Sequence, residues 1–223
     1  MKLFIDSANI PAIKKYVDMG VIDGVTTNPT LLAKESADPA DQVRKIVDMV
    51  PGPVSVEVLA TEHDAMLEEA KRIAEIGKNV VVKLPMTPTG MAVLKKIAPK
   101  IKVNVTLVFS VPQALIAAKA GSTYTSPFIG RLDDIGENGM QLIRDIVTVY
   151  RNYQFKSQVL VSSVRHPMHV VEAAKIGADV ATVPAEVIDK MFMHPLTDAG
   201  LKRFLADWED LKKKYKNASP FKK

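Results

Sequence analysis

Short β-branched runs alternate with amphipathic stretches along almost the whole chain, and this alternation restricts the fold more than any other feature. Strand-like runs lie at 3–6, 24–28, 54–59, 80–84, 103–109, 123–128, 159–164 and 180–183. Between them, segments such as 41–49, 64–76, 113–120 and 139–150 carry apolar residues at three- and four-residue spacing, the mark of a helix with one buried face. Gly20, Gly77, Gly121 and Gly177 each follow an apolar helix end and precede a strand, which predicts left-handed C-caps where the chain turns back. Repeated βα units in 223 residues predict an α/β fold, a (β/α)8 TIM barrel built as a single domain over 1–223. A doubly wound sheet is the competing architecture. No Gly-x-Gly-x-x-Gly follows the first strand and no Walker glycine loop precedes a lysine, so nucleotide binding is not expected. The stretch 198–214 places Leu201, Phe204, Leu205, Trp208 and Leu211 on one helical face, more than an eighth unit requires. It predicts an additional C-terminal helix that packs on the barrel or on a neighbouring subunit.

Composition narrows the chemistry. With 47% apolar residues the chain can bury one sizeable core, and the absence of cysteine removes disulfides, thiolate nucleophiles and cysteine metal sites, in keeping with a cytoplasmic protein. His166 and His169 stand three apart but have no adjacent carboxylate cluster, so they read as structural and no metal is expected. The N-terminal apolar run is too short for a signal peptide, and no segment reaches the ~18 apolar residues of a membrane span. Net charge is +5, but the lysines concentrate in helical segments and in a tail running from Lys212 to Lys223. Without a basic patch interleaved with aromatics, nucleic acid is not an expected partner; small anionic, phosphorylated substrates suit the balance better.

One charged residue interrupts an apolar strand: Lys83, in Val80-Val81-Val82-Lys83-Leu84-Pro85. Burying an ammonium costs several kcal/mol, so such a site favours the neutral amine. Moving a lysine from about 10.4 to about 7 takes about 4–5 kcal/mol, and the amine that results attacks carbonyls. A lysine at a strand end can instead snorkel to water. In a barrel, chemistry gathers at the C-terminal strand ends, and there the runs turn polar: Asp6, then Thr26-Thr27-Asn28, Glu57, Lys83, Asn104 and Thr106, Ser126 with Arg131, and Ser162-Ser163 with Arg165. Each has an ordinary structural reading as a turn former or strand filler. Their joint placement around one lysine is what points to a site.

Five ordered segments resemble the signatures of the transaldolase family: Gly24-Val25-Thr26-Thr27-Asn28-Pro29-Thr30-Leu31, Val82-Lys83-Leu84-Pro85-Met86-Thr87 with Gly90, Asn104-Val105-Thr106-Leu107-Val108-Phe109-Ser110, Ser126-Pro127-Phe128-Ile129-Gly130-Arg131, and Ser162-Ser163-Val164-Arg165. The resemblance implies a class I, metal-free and cofactor-free (β/α)8 enzyme that forms a Schiff base between a lysine and a ketose phosphate. Lys83 matches that lysine. By the same resemblance, Glu57 and Thr106 match the pair that moves protons through a water, and Asp6 the acid–base group at the bond that breaks. Asn28, Asn104 and Ser126 match hydrogen-bonding partners of the three-carbon unit, Thr26 and Phe128 match further substrate-binding positions, and Arg131, Ser163 and Arg165 match a phosphate grip.

The same family includes fructose 6-phosphate aldolase, which releases free dihydroxyacetone. Its pattern has glutamine at the position of Glu57, tyrosine at that of Phe128 and no asparagine at that of Asn104, so this chain follows the transaldolase choice at all three. The resemblance to short members further implies a homo-oligomer, a pentamer or decamer. A non-catalytic polyanion-binding barrel using the lysine tail is the alternative outside catalysis; it gives no reason for Lys83, Glu57 and Thr106 to occur together.

Overall fold

The computed structural model describes residues 1–98 and 100–215. The chain divides into two compact units, Met1–Ile188 and Asp189 onward. The first unit is built from β1 (Lys2–Asp6), α1 (Ile10–Asp18), β2 (Gly24–Thr26), α2 (Pro29–Leu32), α3 (Pro39–Met49), β3 (Val54–Glu57), α4 (His63–Ala74), β4 (Val80–Pro85), α5 (Pro88–Ile97) and β5 (Val103–Val108). It continues through α6 (Val111–Ala120), β6 (Tyr124–Pro127), α7 (Ile129–Asp133), α8 (Gly139–Asn152), β7 (Gln158–Val161), α9 (Pro167–Ile176) and β8 (Val180–Val183), with α10 (Ala185–Phe192) leading out of it. Every strand pairs in parallel with its sequence neighbour and β1 pairs with β8, closing a (β/α)8 barrel.

Period two along each strand sorts the side chains. Ile5, Val25, Val54, Val56, Val82, Leu84, Val103, Val105, Val159, Val161, Ala181 and Val183 face the helices in one large core. Phe4, Val81, Tyr124, Leu160 and Val180 form a separate cluster that plugs the barrel axis. Each such side chain, at or near full burial, contributes about 1.5–3 kcal/mol. Two residues beyond the plug on each of these strands stand Asp6, Lys83, Ser126, Ser162 and Thr182. The alternation that fills the barrel thus also sets a polar layer above the plug, at the C-terminal strand ends. Gly24 belongs to the plug as an absence: a Cβ there would lie 2.8 Å from Phe4 Cε1 and 2.6 Å from the Pro53 carbonyl oxygen.

Helix starts are chemically marked. Side chains of Asn9, Asn28, Asp38, Thr87 and Ser110 accept from first-turn N–H groups, each with a proline in that turn, a combination worth about 1 kcal/mol per cap. Gly121 and Gly177 are left-handed C-caps as expected, and Gly20 also has positive φ. Gly77 corrects the expectation. Its φ is not positive; a Cβ there would come within 2.4 Å of Val47 Cγ1, so close packing is what selects glycine.

Strands end earlier than the apolar runs suggest. β2 stops at Thr26 because Asn28 turns away to cap α2, and β7 stops at Val161 because Ser163 takes φ +61°. A register irregularity between Val105 and Val108 accompanies the left-handed Leu107 in β5.

The second unit carries α11 (Pro195–Lys214), longer at its start than the predicted 198–214. It contains no buried residue, and Leu201, Phe204, Leu205 and Leu211 are exposed. The basic tail from residue 216 lies outside the described residues. Among the described residues, no helix is long and apolar enough to cross a membrane.

Candidate active site

The parallel register sets Glu57 beside Lys83 and Lys83 beside Asn104 on three neighbouring strands. Lys83 is 4% exposed, and its Nζ lies 3.1 Å from Glu57 Oε2 and donates to the Thr27 carbonyl at 3.2 Å. The lysine does not snorkel: it lines the cavity with its amine held by one carboxylate and one carbonyl. Thr106, fully buried on β5, has a hydroxyl oxygen without a protein partner, a position that a substrate or solvent hydroxyl can satisfy.

Asp6 ends β1 in the same layer. Burial pushes its carboxyl above the ordinary range, opposed by the Thr26 hydroxyl and the Lys83 charge, and seconded by Glu57 and Glu186. Thr26 Oγ1 donates to Asp6 at 2.7 Å and is itself 2.5 Å from Thr182 Oγ1. Since the single Thr26 proton goes to Asp6, Thr182 is the donor to Thr26. A two-hydroxyl chain therefore holds the carboxylate. Ser126 donates to Asn104 Oδ1 at 2.7 Å, and the Asn104 amide donates to Ser55 Oγ at 3.3 Å.

A cavity of about 210 Å³ opens above these groups. Its walls include Asp6, Thr26, Asn28, Lys83, Ser126, Phe128, Arg131, Ser163, Arg165 and Thr182. An adjoining lobe of about 350 Å³ reaches Glu57 and Thr106 and shares Lys83, Phe128 and Arg131. Asn104 lines neither space; it reaches the site through Ser126. Phe128 packs against Phe109 with the rings tilted by 58° and their centroids 5.8 Å apart, and the Arg131 guanidinium sits 5.0 Å from the Phe128 centroid. The Arg165 guanidinium is bonded to Asp134 Oδ2 at 2.7 Å. The described residues contain no cluster of three or more His, Asp or Glu able to hold a metal ion.

Reading the sequence missed Thr182, Ser55 and the Thr27 carbonyl. A signal existed for the first two: each is a lone hydroxyl inside an apolar strand, Val180-Ala181-Thr182-Val183 and Val54-Ser55-Val56, at an inward-facing position. Thr26, expected at the substrate, spends its hydroxyl on Asp6.

Fold and site together define a (β/α)8 barrel with a lysine-centred polar cavity flanked by two arginines. The chain belongs to the transaldolase/fructose-6-phosphate aldolase family, whose model matches residues 3–215. Relatives named "Probable transaldolase" are 56% identical over 214 residues in Nitrosopumilus maritimus, covering 95% of this chain and 96% of that one, and 57% identical in Anaeromyxobacter dehalogenans, covering 96% and 99%. A third, from Thermodesulfovibrio yellowstonii, is 54% identical and covers 96% of this chain and all of its own. The protein is an enzyme of the transaldolase/aldolase type.

Proposed function

We propose that the protein is a class I transaldolase that moves a dihydroxyacetone unit from fructose 6-phosphate or sedoheptulose 7-phosphate to erythrose 4-phosphate or glyceraldehyde 3-phosphate. The observation that carries this reading is a buried Lys83 with its amine 3.1 Å from the Glu57 carboxylate. Glu57 is in position to take the proton that frees the amine lone pair. The amine adds to the ketose C2 carbonyl, and the carbinolamine loses water as an acid returns a proton to its oxygen, a transfer that Glu57 and Thr106 can carry through one water. Asp6 accepts the C4 hydroxyl proton as the C3–C4 bond breaks. The bonding electrons pass into the iminium, leaving an enamine on Lys83 and an aldose phosphate. Addition of the enamine to the acceptor aldehyde, followed by hydrolysis of the imine, completes transfer.

Arg131, Arg165 and Ser163 grip the phosphate, since guanidinium forks match its oxygens. Phe128 offers no hydroxyl to protonate the enamine, which supports transfer over release as an aldolase. The enzyme works in the cytoplasm on the sugar phosphates of the pentose shunt, as a ring-like homo-oligomer in which the apolar face of α11 meets a neighbouring copy; removal of residues from Leu201 onward lowers the sedimentation coefficient if so. The functional test is release of glyceraldehyde 3-phosphate from fructose 6-phosphate. Release that requires erythrose 4-phosphate supports a transaldolase; release without acceptor identifies an aldolase.

A further inference from the structure

The two cavity arginines arrive on different segments. Arg131 lies in α7, and Arg165 lies in the connection between β7 and α9. Backbone bonds zip the near ends together: Ile129 N–H donates to the Ser162 carbonyl and Gly130 N–H to the Ser163 carbonyl, both at 3.1 Å. A Cβ on Gly130 would lie 2.2 Å from the Ser163 carbonyl oxygen, so the fit is backbone against backbone. Toward the far ends, besides the Arg165–Asp134 pair, a link runs through a buried imidazole.

We infer that His169, tied to Asp133, is a positioning residue that holds the segments carrying Arg131 and Arg165 as one anion grip. His169 is 6% exposed, at the first turn of α9. Its Nδ1 accepts the Arg165 backbone N–H at 3.3 Å, and its Nε2 lies 3.2 Å from Asp133 Oδ2. An N–H donor at Nδ1 fixes the tautomer, so the neutral ring carries its proton on Nε2 and donates it to Asp133. Asp133 is anchored in turn, its other oxygen accepting from Gly139 N–H at 3.0 Å. The ring therefore bridges the residue that carries one guanidinium and the helix that carries the other. Neither bond reaches the cavity, so His169 acts through the arginines and not on substrate. The inference rests on the reading of Arg131 and Arg165 as the phosphate grip.

The bridge is also sensitive to acid. A second proton would go to Nδ1 and face the Arg165 N–H donor to donor, breaking that bond. The ionisable groups facing the ring are His166, stacked on it with centroids 3.8 Å apart, Arg165, Asp133 from α7 and Glu172 from α9. Burial first, then His166, hold the imidazole below its usual 6.5 against the raising influence of Asp133 and Glu172. The bridge is therefore intact at neutral pH and opens below it.

The test uses the whole protein, with His169→Phe, which removes both bonds, and His169→Gln, whose amide can accept and donate. Inorganic phosphate affinity by titration calorimetry at about pH 8 should fall about tenfold in the Phe variant and stay within about twofold in the Gln variant, the scale of one lost bond that orders a charged group. Borohydride trapping of unphosphorylated dihydroxyacetone on Lys83 should be unchanged in both. Sulfate, whose charge does not change across the range, should bind wild type more weakly from about pH 7 to about pH 5, with a smaller loss in the Gln variant. Unchanged phosphate affinity in the Phe variant, or equal loss of trapping, overturns the positioning role while leaving the grip in place. A wild type that binds no phosphate overturns the grip and the inference with it.

Discussion

Replacing Lys83 by Met and Glu57 by Gln, singly and together, measures what the buried ion pair at the centre of the cavity is worth. The charges are 3.1 Å apart, on side chains 5% and 17% exposed. At an effective dielectric of about 20, Coulomb's law sets an upper bound of about 5 kcal/mol. The exposed edge of Glu57 lowers this, as does the Lys83 bond to the Thr27 carbonyl, which survives when Glu57 is neutralised. About 2–3 kcal/mol of coupling remains. Either single change also relieves the desolvation of the charge it removes, so neither alone reports the pair; the cycle does. Urea unfolding of the four proteins at neutral pH gives the free energies, provided the m-values agree. A coupling below about 0.5 kcal/mol, the level of an exposed surface pair, would refute a closed Lys83–Glu57 contact and with it the role of Glu57 in freeing the amine.

Three further outcomes follow from the same geometry. Gly24→Ala should destabilise by about 2–3 kcal/mol, because its Cβ meets the Phe4 ring and the Pro53 carbonyl; an unchanged melting temperature would contradict the plug described for the barrel axis. Asp6→Asn should abolish turnover yet stabilise the fold at neutral pH. A carboxyl whose folded pKa is raised contributes its stability below its ordinary value near 3.8 and loses it as pH climbs through the folded value, so the asparagine gain should shrink toward acid; a gain that grows on acidification would reverse that sign. Phe128→Tyr should raise free dihydroxyacetone relative to transferred product, measured as the ratio of the two with acceptor present.

Much of the site was legible because strand periodicity is a simple code. Asp6, Glu57, Lys83, Thr106 and Ser126 all fall on the inward-facing alternate positions of their strands, so locating the strands located the layer. Thr182 and Ser55 obey the same rule but sit inside short apolar runs, where one hydroxyl looks like filler. Short helices α2 and α7 have too few residues for a 3.6-residue period. In α2 the sign is the Asn28 cap followed by Pro29. Left-handed Leu107 and Ser163 have no local signal, since neither is a residue type that favours positive φ. The bond from His169 to Asp133 joins residues 36 apart in number, and only the closed barrel brings them together. Gly77 shows the limit of reading glycine as a turn: a neighbouring helix, not the backbone angle, selects it.

The proposed reaction passes through a covalent imine on Lys83, which borohydride can trap in place. The protein is incubated with fructose 6-phosphate, reduced with borohydride, digested and mapped by mass spectrometry. A reduced dihydroxyacetone adduct is expected on the peptide carrying Lys83, lost in Lys83→Met and discharged when erythrose 4-phosphate is added before reduction. An adduct on another lysine, or none on wild type that remains folded, would contradict the proposed reaction.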